Sequence, residues 1–302
     1  MANNRVAWLD IAKGMAIILM VLGHTSIPAV ASNFIYAFHM PLFFIASGWV
    51  TRWDKHALPQ FITHRLRTLM LPFGIYSAVV LIISNLNRGG WNLVDWLLNG
   101  WGGYALWFIP VLFVASVVAK ILMSVQSWYL RALGVCLLLA AGYALSAAHL
   151  FLPWNLSTVP YAATMILAGS LLKRWQTWID NPRIILFLLC LLLTGLVSLN
   201  WKLDLCYNNL LPIIPKTVGA IAGTLMLFMV ASWIALKAPI AVRTAFIGIG
   251  RETFLIVGFS QIIIMQLNAY LQVNALVKYA LLIAILYACF LLKKLLTHYF
   301  VQ

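Results

Sequence analysis

Apolar runs of about twenty residues recur along the whole 302-residue chain, and only short connections separate them. A helical run of that length matches the ~30 Å hydrocarbon core of a bilayer. In hydrocarbon every backbone N–H and C=O must be paired within its own segment or barrel, and runs this long and evenly apolar are helical rather than alternating strands. The fold class is therefore all-α: a polytopic membrane protein with about ten transmembrane helices. The expected spans are roughly 8–26, 34–51, 68–86, 104–123, 130–148, 158–174, 183–200, 213–235, 246–267 and 274–296. No long polar segment interrupts them, so residues 1–302 read as a single integral-membrane domain.

Composition excludes the soluble alternatives. The chain is 64% hydrophobic and 9% charged, with a mean hydropathy of +0.97, far from the usage of soluble domains. The first run lacks a small-residue cleavage site and contains Asp10 and Lys13, which predicts a retained span rather than a removed signal. A net charge of +14 would suggest nucleic acid in a soluble chain. Here the basic residues lie between spans, so membrane lipid is the expected neighbour and no nucleic acid is expected. With both termini inside, sixteen Lys and Arg fall in inner segments, and only Arg88, Lys202, Lys216 and Lys278 fall in outer ones. That asymmetry sets the orientation. Cys136, Cys190, Cys206 and Cys289 show no paired spacing, which predicts neither a disulfide framework nor a metal site.

Against this apolar background a few ionisable residues stand out. A charge at the bilayer centre costs roughly 2.5–3.5 kcal/mol on insertion scales, so intramembrane ionisable groups are functional candidates. Asp10, Lys13, Ile17, Met20 and His24 form one stripe on the first span. Lys13 and His24 lie about 20° apart around the helix and about 16 Å apart along it. His39, in Phe38-His39-Met40-Pro41, begins the returning span at a similar depth. A neutral imidazole there suits a general base that takes a proton from a hydroxyl. The alternative is a packing histidine bonded to backbone, a reading that Pro41 and Gly48 favour more for His39 than for His24. Lys13 either snorkels to headgroups or forms a cationic inner mouth. Arg65 and Arg67, beside His64, are either inner anchors or a phosphate-binding pair. Asp10 stands three residues from Lys13 and can pair with it. Trp107, in Leu106-Trp107-Phe108-Ile109-Pro110, starts the fourth span from outside, while Ser260 and Gln261 are placed to line a cavity. Arg251 and Glu252 read as an ion pair. The Trp-rich connection 87–103 reads as an interfacial belt or as a surface on which a sugar ring stacks.

At these residues the chain resembles the bacterial ten-span membrane acyltransferases of type three. Leu9-Asp10-Ile11-Ala12-Lys13-Gly14 through Gly23-His24 is similar to that family's first-span signature. Phe38-His39-Met40-Pro41-Leu42-Phe43-Phe44 through Ser47-Gly48 resembles its fucose 4-O-acetylase-like branch. Trp107-Phe108-Ile109-Pro110 and Gly250-Arg251-Glu252-Thr253 resemble later segments. The resemblance implies transfer of an acetyl group from cytosolic acetyl-CoA, a co-substrate rather than a permanently bound cofactor, to a hydroxyl of a glycan or lipid-linked sugar. It implies a bacterial inner membrane with both termini cytoplasmic. His24 would be catalytic, with Asp10 supporting it, His39 beside it, and Lys13 where relatives commonly carry Arg. The donor would be bound by Lys13, Arg65 and Arg67, and the acceptor by Trp107 and Gln261. Many relatives have an Arg pair separated by two residues at the third span, where Arg65 and Arg67 are separated by one, and a His where Phe259-Ser260-Gln261 stand here. A covalent acetyl-histidine and direct transfer both fit. A secondary transporter, with the polar residues as its substrate path, is the competing class, although the charged stripe is confined to one end of the chain.

Overall fold

The computed structural model describes residues 6–25, 27–88, 94, 104–271 and 274–300. Among the described residues the regular elements are helices. Helix α1 (Ala7–Gly23) and α2 (Ala29–Val50) form the first hairpin. Helix α3 (Leu58–Arg65) passes through a π-turn (Leu66–Met70) into α4 (Leu71–Arg88). A 3₁₀ turn (Tyr104–Trp107) leads into α5 (Phe108–Ser124), and α6 (Trp128–Ala147) follows. A second 3₁₀ turn (Pro153–Thr158) precedes α7 (Val159–Leu172). Then come α8 (Gln176–Asp180), α9 (Ile184–Asn200), α10 (Ile213–Lys237), α11 (Ile240–Arg251), α12 (Thr253–Tyr270) and α13 (Ala275–Phe300).

Local chemistry marks the helix ends. The Ser127 hydroxyl accepts from the Leu130 N–H and caps α6. Pro160 stands in the first turn of α7, where its missing N–H leaves no helix bond unmade. Pro28 precedes α2, so the returning span starts at Ala29 rather than near residue 34 and His39 lies about three turns in.

Among the described residues seven helices are long and apolar enough to cross a membrane: Ala29–Val50, Leu58–Ile83, Ala105–Ser124, Trp128–Ala147, Ile213–Lys237, Thr253–Tyr270 and Ala275–Leu295. The other three expected positions hold shorter helices, α1 and α9 of 17 residues and α7 of 14. At 1.5 Å per residue α7 is about 21 Å long, below the ~30 Å core. The expected ninth span, 246–267, is broken. The chain leaves helical geometry at Glu252, which separates α11 from α12.

Helix α1 packs on α2, α10, α11 and α12, and α2 packs on α7 and α10, so the centre of the bundle is built on the first hairpin. Two close crossings set its geometry. Gly48 of α2 and Gly169 of α7 each meet the partner helix at backbone, against Ile166 and Ile45, leaving no room for a Cβ. Gly14 of α1 and Gly250 of α11 make the same contact, against Phe246 and Asp10. Small residues let helix backbones touch where no hydrophobic force drives association. On the outside, α6, α9 and α13 expose Leu133, Leu137, Leu188, Leu192, Leu276 and Ile283, the surface a lipid-facing helix requires.

Candidate active site

The stripe on α1 has different partners at its two ends. At the inner end Asp10 is 3% exposed, and its carboxylate accepts an ion pair from Lys13 Nζ at 2.6 Å. Arg251 Nε lies 3.8 Å from the other oxygen. The Gly14–Gly250 crossing brings that arginine to α1. Two cations therefore flank one carboxylate, and the group keeps a net positive charge. The Arg251–Glu252 pair expected from the sequence is replaced: Arg251 pairs with Asp10, and Glu252 takes Lys293 at 2.6 Å. Midway, Ile17 and Met20 are buried at 0% and 1% exposure, so the stripe runs into the packed core between its two ends.

At the outer end His24 caps α1 and lines a cavity of about 190 Å³ with Thr25, Leu267, Asn268, Lys278 and Tyr279. Tyr36 Oη lies 3.3 Å from His24 Nδ1, and the Tyr36 ring stands edge-on to His39 at 5.0 Å. His39 Nδ1 donates to the Ile35 carbonyl at 2.9 Å and is 3% exposed. The structure thus brings the two histidines to one aromatic cluster, with His24 open to the cavity and His39 buried behind Tyr36.

The other predicted positions converge less. Arg65 donates to Thr51 Oγ1 at 2.9 Å and rests over the Phe61 ring, whereas Arg67 is exposed. Two residues apart on a helix is about 200°, so the two arginines face opposite ways and do not form one fork. Trp107 is buried at 5% exposure, with its ring edge-on to Phe108. Gln261 is half-buried on α12, one turn from Ile264 and two from Asn268, on the helix face that lines the outer cavity. The Trp-rich connection lies outside the described residues, apart from its first two and residue 94.

An acyltransferase domain of the acyltransferase 3 type matches residues 6–294. The chain belongs to the acyltransferase 3 family. It is 27% identical over 237 residues to nodulation protein NolL of Mesorhizobium japonicum, an alignment covering 69% of this chain and 60% of the relative. It is 25% identical over 242 residues to nodulation protein NolL of Sinorhizobium fredii, covering 69% and 61%. The chain thus spans about 60% of the length of the curated relatives it matches. No solved structure matches it.

Within this chain several site-forming residues have no counterpart in the sequence reading. Tyr279 Oη donates to Thr25 Oγ1 at 2.8 Å, joining α13 to the end of α1. Lys278 Nζ donates to Asn268 Oδ1 at 2.8 Å across the wall of the outer cavity. Lys278 was visible as one of four outer cations, but nothing in the sequence pointed it at His24. Above the cluster, Lys202 lies over the Tyr36 ring at 4.3 Å and 3.5 Å from Asp204. The connection between α9 and α10 is fastened by distant groups. Ser146 Oγ donates to the Asn208 carbonyl at 2.7 Å, Thr158 Oγ1 to the Leu205 carbonyl at 2.8 Å and Asn155 Nδ2 to the Cys206 carbonyl at 2.7 Å. Lys216, 2% exposed, donates to Asn209 O at 3.1 Å and Oδ1 at 3.0 Å.

Proposed function

We propose that this acyltransferase moves an acetyl group from cytosolic acetyl-CoA to a hydroxyl of a glycan or lipid-linked sugar, with His24 as general base. The observation that carries the reading is the placement of His24: one nitrogen is held beside Tyr36, and the side chain lines a cavity walled by Thr25, Asn268, Lys278 and Tyr279. If Nδ1–H is donated to the Tyr36 oxygen, the lone pair stands on Nε2, the nitrogen left for an acceptor. The acceptor hydroxyl gives its proton to Nε2 as its oxygen attacks the thioester carbonyl. The carbon–sulfur bond breaks, and CoA leaves as thiolate and takes a proton. Polar groups with hydroxyl, amide and ammonium character suit a sugar, whose hydroxyls need both donors and acceptors.

At the inner end the net positive group of Asp10, Lys13 and Arg251 attracts the donor's phosphates. Arg67 assists from its exposed position on the third span, whereas Arg65 is committed to Thr51 and the Phe61 ring. Asp10 supports the reaction by holding Lys13. His39 backs the aromatic cluster through Tyr36, and Gln261 extends the acceptor wall from below. Trp107 braces the fourth span rather than touching substrate. Both termini lie in the cytoplasm of a bacterial cell in this reading, and ten helices cross the inner membrane, with α1, α7 and α9 among them.

The test is purified protein in detergent with acetyl-labelled acetyl-CoA. Thioester hydrolysis, or label transfer to an added lipid-linked sugar, is expected. A preparation that transports solute but releases no CoA thiol would overturn the assignment in favour of a transporter.

A further inference from the structure

A second cavity, larger than the one at His24, lies at the other end of the bundle. Its volume is about 560 Å³, and its lining includes Arg52, Trp53, Asp54, Lys55, Ser170 and Lys173. It sits where α2, α5 and α7 end. In the inside-termini orientation all three ends face the cytoplasm. Its volume falls in the ~300–1,000 Å³ range of small-ligand sites.

The walls are built, and the charges are not neutralised. Trp53 Nε1 donates to Ser170 Oγ at 2.8 Å, and Ser170 Oγ donates to the Gly48 carbonyl at 3.2 Å. Lys120 Nζ donates to the Trp53 carbonyl from α5, and Arg65 holds Thr51. These bonds pin the segment after α2. By contrast, no ion pair among the described residues engages Arg52, Lys55 or Lys173. The one carboxylate on the rim, Asp54, leaves the three cations in excess. Three other basic residues at the inner end do have carboxylate partners: Lys13 and Arg251 share Asp10, and Lys293 takes Glu252.

The cavity is also cut off from the proposed reaction path. The backbone contact of Gly48 and Gly169 closes the seam between α2 and α7 directly above it. The two cavities share no lining residue. A donor held here would have no open route along that seam to His24. A ligand that keeps its phosphate at the surface and its apolar part along the helices meets no such obstacle. Trp53 and Met123 in the lining suit that kind of molecule, and basic pockets between helices on the cytoplasmic side bind anionic headgroups.

We propose that this cavity binds a phosphate-bearing anion, the headgroup of an anionic phospholipid of the inner leaflet, at a site separate from the donor's. The proposal rests on the inside orientation and not on the acyl-transfer chemistry. Full-length protein in neutral detergent is mixed with phosphatidylglycerol or, as control, phosphatidylcholine, and retained lipid is counted by native mass spectrometry. Phosphatidylglycerol should be retained preferentially. The variants Arg52→Gln, Lys55→Gln and Lys173→Gln should each weaken that retention about fivefold. Binding of CoA and of adenosine 3′,5′-bisphosphate should be unchanged in all three. Unaltered phosphatidylglycerol retention, or equal retention of the two lipids by the parent protein, overturns the proposal. Loss of nucleotide binding in the variants also overturns it, because the cavity would then hold the donor. Should a variant fail to purify, a salt titration of the parent protein decides: phosphatidylglycerol must dissociate with rising salt and phosphatidylcholine must not.

Discussion

The two ends of this bundle treat their cations in opposite ways. At the outer end three cations are engaged by named side chains: Lys216 by Asn209, Lys202 by Tyr36 and Asp204, and Lys278 by Asn268. At the inner end Arg52, Lys55 and Lys173 line a cavity without an ion pair among the described residues, and Lys13 and Arg251 share a single carboxylate. Cations held by side-chain partners keep one geometry, which is what a base and an acceptor hydroxyl need. A surplus of positive charge binds phosphates and anchors the cytoplasmic face. In the proposed function the outer end serves orientation and the inner end attraction. Mutations at the first should change turnover, and mutations at the second should change donor binding.

The largest effect tests which end is which. Thr25→Cys lines the outer cavity, and His64→Cys lies on the exposed part of α3. In a background without the native cysteines, an impermeant thiol reagent applied to intact cells should label position 25 and leave position 64 untouched. The native thiols are removed because Cys136 is exposed; Cys206 would compete little, since burial, aided by the Asp204 charge, pushes its thiol up to about 12. Labelling of position 64 with protection of position 25 would exchange the two ends and end the comparison.

Next in size is the base. His24→Ala should lower kcat by roughly 10²–10⁴-fold while CoA still binds, the usual range for a lost general base. His39→Ala should cost much less, since His39 reaches the cavity only through Tyr36. Equal losses for the two would show that the outer cluster acts as a pair. Turnover close to normal in His24→Ala would remove the base from the outer end altogether.

At the inner end the expected change lies in donor KM. Lys13→Ala should raise it about tenfold, the loss of one charge-assisted contact, with kcat nearly kept. Lys13→Arg should retain most of the binding, because either side chain can pair with Asp10 and face a phosphate. Arg251→Ala should behave like Lys13→Ala. A kcat effect without a KM effect would move the inner group from attraction to catalysis.

How far the sequence reached into this comparison depends on the kind of contact. The stripe of Asp10, Lys13 and His24 was legible because charges in an apolar helix are costly and the 3.6-residue period puts them on one face. The Asp10–Lys13 pair was legible for the same reason, as a neighbour relation within one helix. Arg251 was not, since its partner lies on another helix and is reached only through the Gly14–Gly250 contact. The break at Glu252 was hidden because the apolar residues before Arg251 and after Thr253 read as one span. The opposite faces of Arg65 and Arg67 could be read from their spacing, whereas the cations around the inner cavity could not. Arg52, Lys55 and Lys173 look like ordinary positive-inside anchors until α2 and α7 are seen to end beside one another. Whole spans follow from hydropathy, but sites made where helix ends meet depend on crossings that a single sequence does not display.

The smallest effect sharpens the outer end most. Tyr36 stands between His24 and His39 and under Lys202, which in the proposed reaction makes it a positioning residue rather than a catalytic one. Tyr36→Phe keeps the ring, and with it the contacts to His39 and to the Lys202 ammonium, and removes only the hydroxyl at His24 Nδ1. One hydrogen bond of this kind is worth about 0.5–1.5 kcal/mol. The loss of kcat should therefore be about two- to tenfold, with donor KM unchanged, because the inner end is untouched. Tyr36→Ala also removes the ring and should lose more, without moving donor KM. If Tyr36→Phe were indistinguishable from the parent protein while Tyr36→Ala failed, the ring alone would matter. The tautomer of His24 would then be set by some other group, and the outer end would orient its base by packing rather than by the hydrogen bond proposed here. If donor KM rose with either variant, attraction and orientation would not be divided between the two ends at all.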